Sequence, residues 1–139
     1  MNVLTYLLVA VGCYILAYRF YGRFVARALG ECADRPTPAV EINDGKDYVP
    51  TRPSVLFAHH YSTIAGAGPI VGPTLGIPYG VGPAWLWVVI GAIFFGAVHD
   101  FAALFASIRE RGNSVAEVAR KSLGESGFVM FIAFTIVLL

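Results

Sequence analysis

Charge is what this chain has least of. Only 14% of its 139 residues are Asp, Glu, Lys or Arg, and the formal net charge is +1. So small an imbalance excludes a strongly basic nucleic-acid binder on bulk electrostatics, and no nucleic-acid partner is expected. Cysteine is scarce too. Cys13 lies in the first apolar run and Cys32 beyond the arginines that follow it, so no structural disulfide is expected between them. Met1 to Thr5 carry no basic side chain. A cleaved leader has its positive charge before the apolar stretch, so this first run reads as an uncleaved helix. The acidic stretch Asn43-Asp44-Gly45-Lys46-Asp47 lacks the spaced ligands and terminal Glu of a calcium loop, and reads as a tight turn. In place of charge the chain has apolar surface: 57% hydrophobic residues and a mean hydropathy of +0.67. That composition predicts a membrane protein.

The expected fold is all-α, a polytopic transmembrane helix bundle with one helix broken by glycine and proline. Spans are expected over about 4–20, 55–75, 84–108 and 128–139, with a loop over 31–54 and a short interfacial helix over 114–123. The loop follows from Pro36, Pro38, Pro50 and Pro53, and the interfacial helix from the capping box Ser114 to Glu117 and the stop at Gly124. Arg19, Arg23 and Arg27 follow the first run, and Arg109 and Arg111 follow the third. Basic residues favour the cytoplasmic side, which predicts an outside N-terminus and inside loops at 31–54 and 109–126. The last run stops without a flank, so the sequence reads as the N-terminal part of a larger protein.

The stretch that the rest holds in place is Ala58 to Pro73, A-H-H-Y-S-T-I-A-G-A-G-P-I-V-G-P. Gly66, Gly68, Pro69, Gly72 and Pro73 fall inside an apolar run, where each glycine weakens a helix and each proline removes a ladder hydrogen bond. A break is therefore expected there. In hydrocarbon, broken backbone is tolerated only where protein buries it or where it lines a cavity, and transporters place binding sites at such breaks. The alternative is that the glycines only let helices approach and the prolines only kink one. His59 and His60 stand just before the break, where an imidazole can couple proton binding to substrate binding.

A second candidate lies on the next span. Gly96, Asp100, Ala103 and Ser107 share one helical face, small and polar, while Trp87, Ile90, Phe94, Val98, Phe101 and Phe105 cluster on another expected to meet lipid. Asp100 stands nine residues before Arg109, roughly 13 Å along the axis and near the middle of a core about 30 Å thick. Charge at that depth is costly, so an acid there is a functional candidate or a structural carboxyl paired with a neighbouring helix.

Three ordered motifs carry a resemblance: N-D-G-K-D-Y-V-P-T at Asn43 to Thr51, H-H-Y-S-T-I-A-G-A-G-P-I-V-G-P at His59 to Pro73, and G-A-V-H-D-F at Gly96 to Phe101. The chain from about Tyr21 onward resembles the carbon starvation protein A family, CstA. The departures, Ala58 where Gly is frequent and Tyr61 where Phe is common, remove no polar group. The resemblance implies a bacterial inner-membrane protein associated with peptide uptake under starvation, or a pyruvate–proton symporter, with a fold of the inverted-repeat, broken-helix kind. The expected function is thus secondary transport rather than enzymatic catalysis, with a peptide or small carboxylate as substrate, a proton as coupling ion and no cofactor. The expected substrate and ion site comprises His59, His60, Ser62, Gly66, Gly68, Pro69, Gly72, His99 and Asp100, and no metal site. A rival reading from another class is a redox protein with His60 and His99 as haem or metal ligands. Against it, no Cys-x-x-Cys-His motif occurs, and adjacent His59 and His60 cannot both face one site from a helix.

Overall fold

A computed structural model describes residues 2–66 and 68–138, apart from the side chain of Leu138. Met1, Ala67 inside the expected break, and Leu139 at the end of the expected last span lie outside the described residues. Every regular element among the described residues is helical, as an all-α bundle requires.

Helix α1 runs without interruption over Val3–Leu29, well past the apolar run that ends near Phe20. It starts on Asn2, whose Oδ1 accepts the Leu4 amide at 3.4 Å, a side-chain cap for one orphan donor. It continues beyond the apolar run because Arg23, Ala26, Arg27, Ala28 and Leu29 are good helix formers and Arg23 to Leu29 contain neither proline nor glycine. Its turn over Ala17–Gly22 is a π-helix. The end is set by Gly30 at φ 72°. The Gly30 amide donates to the Arg27 carbonyl and the Glu31 amide to the Ala26 carbonyl, both at 3.0 Å, which is the double closure of a Schellman motif.

The 31–52 stretch is irregular apart from the short α2, Pro38–Glu41. Helix α3 spans Pro53–Ile64 and helix α4 Gly68–Gly76, followed by a 3-10 turn over Ile77–Tyr79. Helix α5 occupies Val81–Arg109, with Pro83 in its first turn and a π segment at Ala92–Gly96. Helix α6 covers Val115–Leu138 and is kinked at Gly124, whose φ of 79° and ψ of −171° lie outside helical geometry and suit only glycine. Ser114 Oγ accepts the Glu117 amide at 3.3 Å at its start.

Helices α1 and α5 pack side by side in the same direction. Near their starts, Trp85 Nε1 donates to the Tyr6 carbonyl at 3.2 Å, with the two rings 5.5 Å apart. Farther along, Tyr21 meets Phe94 at 5.0 Å, and at their ends Arg109 reaches Gly30. Both are long and apolar enough to cross a membrane, and the apolar window of each is only 6% buried within the chain. A core helix of a soluble fold would be mostly buried; these present their hydrophobic surface outward, as lipid or further spans require. Among the described residues only Val89 and Ala116 are buried.

Helix α3 with 12 residues and α4 with 9 extend roughly 18 and 14 Å at the helical rise, so neither alone crosses a core of about 30 Å. Helix α4 then turns tightly into α5: a Cβ at Gly76 would stand 3.3 Å from the Ala84 Cβ, so a larger residue would push the two apart.

Candidate functional site

The break is narrower than the glycine and proline count implies. Helix α3 closes at Ala65, whose φ of −72° and ψ of 47° leave the helical region, and the Gly66 amide folds back to the Ile64 carbonyl at 2.7 Å. Helix α4 begins at Gly68, so Gly68, Pro69, Gly72 and Pro73 all lie within it. Pro69 is its second residue, where no intrahelical amide bond is lost. Pro73 is interior and removes one bond, the one its amide would have given to the Pro69 carbonyl. The interruption therefore sits before the prolines, and the Pro69 carbonyl, in the first turn of α4, lacks Pro73 as its ladder donor. A Cβ at Gly66, Gly68 or Gly72 would meet nothing within 4 Å. No other part of the described chain borders this backbone on the side where a side chain would stand.

His59, His60 and Ser62 lie on the last two turns of α3, exposed, leading into the break. Ser62 Oγ and Thr63 Oγ1 both donate to the His59 carbonyl, at 3.2 and 2.9 Å. Each hydroxyl proton is thus held by its own helix, and the oxygen lone pairs remain to accept from a ligand. Thr63 was not singled out from the sequence, although a hydroxyl one residue from a candidate serine and just before a helix break was the available signal. On α4, Thr74 Oγ1 donates in the same way to the Ile70 carbonyl at 2.8 Å.

His99 and Asp100, on α5, form a second group. His99 Nδ1 and Asp100 Oδ1 are 3.2 Å apart, with the imidazole 82% exposed and the carboxylate 34% exposed. A ring nitrogen and a carboxylate oxygen at that distance can share a proton, and a protonated imidazole there neutralises the carboxylate. No hydrogen bond or ion pair among the described residues joins this pair to the α3 histidines. The candidate residues thus fall into two groups: His59, His60 and Ser62 before the break at Ala65 and Gly66 with Gly68, Pro69 and Gly72 after it on α4, and His99 with Asp100.

The two faces of α5 follow the expected division only in part. Trp87, Ile90 and Phe94 are exposed, whereas Val98, Phe101 and Phe105 are half-buried. The reason is local packing at that end. Phe101 and Phe105 border a hollow formed with residues 31–38, and the Arg109 guanidinium lies 4.7 Å over the Phe105 ring.

The loop before α3 is more ordered than a proline-rich linker suggests. Asp44 Oδ1 accepts the amides of Lys46 at 2.9 Å, Asp47 at 3.0 Å and Tyr48 at 2.9 Å. The Tyr48 and Lys46 amides hold the Asp44 carboxyl below the usual carboxylate range. Tyr48, fixed by this turn, donates its hydroxyl to the Arg111 carbonyl at 2.8 Å, just beyond the end of α5.

With this geometry in view, the similarities to known proteins bear directly on it. The family model of carbon starvation protein CstA matches residues 2–139. The chain is 47% identical over 138 residues to the peptide transporter CstA of Campylobacter jejuni, covering 96% of this chain and 20% of that protein. It is 48% identical over 125 residues to the peptide transporter CstA of Bacillus subtilis, covering 89% of this chain and 21% of that one. To the pyruvate/proton symporter BtsT of Escherichia coli it is 45% identical over 116 residues, covering 83% of this chain and 16% of the symporter. It thus spans about a fifth of the length of these relatives. No solved structure matches it significantly. With a match that runs nearly end to end and takes in all three motifs, the chain belongs to the carbon starvation protein CstA family.

Proposed function

We propose that this chain forms part of a proton-coupled secondary transporter that takes up peptides or a small carboxylate across the bacterial inner membrane, within the response to carbon starvation. The observation that carries the reading is the interrupted helix: α3 stops at Ala65, α4 begins at Gly68, and no other part of the described chain borders Gly66, Gly68 and Gly72 where a side chain would stand. Broken helices of this kind offer free amides to a carboxylate and free carbonyls to a cation. The Pro69 carbonyl is one such acceptor. His59, His60 and Ser62 supply polar groups on the helix that leads into the break, while His99 and Asp100 supply a pair able to take up and release a proton.

In this reading the N-terminus and residues 77–80 face outward, and residues 31–52 and 110–114 face inward. The parallel packing of α1 and α5 supports that arrangement, since it puts Gly30 and Arg109 at one end and Tyr6 and Trp85 at the other. Uptake of labelled dipeptides and labelled pyruvate into vesicles with an imposed proton gradient tests the proposal. Accumulation of either solute, abolished by an uncoupler, is expected; absence of flux for both classes sinks it. A second reading, a pyruvate–proton symporter, is favoured by the 45% identity to a relative of that name. Competition between the two solutes separates them.

A further inference from the structure

Between α1 and α5, toward the end where Arg109 meets Gly30, lies a cleft of about 750 Å³ that the transport reading leaves unused. Both π segments contribute to it, through Ala17, Tyr18, Arg19, Tyr21 and Gly22 on one side and Ala92 and Ile93 on the other. π-Bulges concentrate at functional positions, and two facing one cleft is a second reason to treat it as a site. Its walls are mostly apolar, with Val25, Ile93, Val98 and Phe101 among them. Set into that wall are Arg19 and Arg23, four residues apart and so on one face of α1. Neither guanidinium enters any of the ion pairs among the described residues. Glu31 also lines the cleft, so two cations face one carboxylate and net positive charge remains.

We propose that this cleft seats the headgroup phosphate of an anionic phospholipid, with an acyl chain lying along the apolar wall. A lipid matches both halves of the site at once. A guanidinium pair binds phosphate oxygens through several N–H donors, while the hydrocarbon wall would be poorly used by a small soluble anion. Basic pockets between spanning helices on the cytoplasmic side are suited to acidic headgroups, and the arginines stand near the end of α1 that carries the basic residues. The inference depends on α1 and α5 being in a bilayer and is independent of the solute transported.

The test uses the protein at its native length, purified in an uncharged detergent and titrated with phosphatidylglycerol, phosphatidylcholine or inorganic phosphate, with bound lipid read by native mass spectrometry. Phosphatidylglycerol should bind in preference to phosphatidylcholine. The double variant Arg19→Gln/Arg23→Gln should lower its affinity roughly thirtyfold, the effect of two basic groups near the headgroup plane. Arg27→Gln, on the same helix but outside the cleft, should leave affinity unchanged. Equal binding of both lipids, equal loss from Arg27→Gln, or inorganic phosphate displacing the lipid at similar concentration overturns the proposal. Should the double variant fail to fold, the parent protein decides. A photoactivatable phosphatidylglycerol should leave adducts on peptides from 14–31 and 92–101, and adducts confined to other segments overturn it.

Discussion

The Arg109 guanidinium donates from Nη2 to the Gly30 carbonyl at 2.6 Å, joining the ends of the two long helices. The same guanidinium lies over Phe105, so its position is fixed from two sides. Gly30 has the positive φ of a helix-closing residue. The contact therefore depends on a backbone shape that few other residues tolerate.

Arg109→Ala should destabilise the α1–α5 pair by about 1 kcal/mol, less than a buried hydrogen bond to a charged group because this one is solvent-exposed. Arg109→Lys should recover part of it, since an ammonium can still reach a carbonyl but does not stack flat on Phe105. Thermal unfolding in detergent at native length measures both. An unchanged melting temperature for Arg109→Ala would show that helix packing alone sets the register.

The parallel packing makes a topological prediction. With Cys32→Ser as background, a cysteine at Asp44 should react with a membrane-impermeant reagent only from the cytoplasmic side, and one at Tyr79 only from outside. Tyr79 is well exposed, so access does not limit the comparison. Labelling of Asp44→Cys in intact cells would reverse the orientation argued from the arginines.

How much of this was legible in the sequence differs by level. Helix content and the break follow from local chemistry: apolar runs of spanning length, prolines in the 31–54 loop, and glycine with proline at 66–73. The site of the break within that stretch did not follow. Counting prolines overstates their effect, because Pro69 falls where no bond is lost and Pro73 removes only one. The pairing of His99 with Asp100 is not implied by adjacency, since neighbours on a helix point about 100° apart and meet only when their rotamers turn toward each other. The contact of Tyr48 with Arg111 joins residues 63 apart in the chain. Tertiary placement of that kind is absent from any local pattern.

The Asp44 turn gives a pH dependence with a definite sign. Its carboxyl pKa is lowered in the folded chain, so the turn gains stability above the unfolded value and loses it as pH falls through the folded one. Limited proteolysis of the 31–52 loop should therefore stay constant from neutral pH down to about 4 and rise only below that. Asp44→Ala should make the loop cleavable at neutral pH, by removing the acceptor for three amides and releasing Tyr48 from Arg111. Equal cleavage of parent and variant at neutral pH would show that the loop is held elsewhere.

Leucine at Gly68 should stop uptake without preventing expression. The φ of Gly68 is not in the left-handed region and its Cβ position is open, so the backbone tolerates a side chain there. The new isobutyl group would occupy the space beside the break that the proposed substrate needs. Normal uptake by well-expressed Gly68→Leu would remove the break as the site.

Asp100 and His99 carry the last prediction, which concerns coupling rather than binding. A carboxylate and an imidazole 3.2 Å apart form a unit that can hold or release one proton with little rearrangement. Asp100→Asn keeps an oxygen acceptor of nearly the same shape for His99 but removes the titrating carboxyl. Exchange of substrate at equal pH on both sides should persist, while accumulation driven by a proton gradient should fall by about tenfold or more, to the level given by exchange alone. Asp100→Ala also withdraws the acceptor from His99 and should reduce both activities. Paired measurements of exchange and gradient-driven uptake in proteoliposomes distinguish the cases. If Asp100→Asn accumulates substrate as the parent does, the proton is carried elsewhere, and His59 and His60 at the end of α3 become the groups to replace.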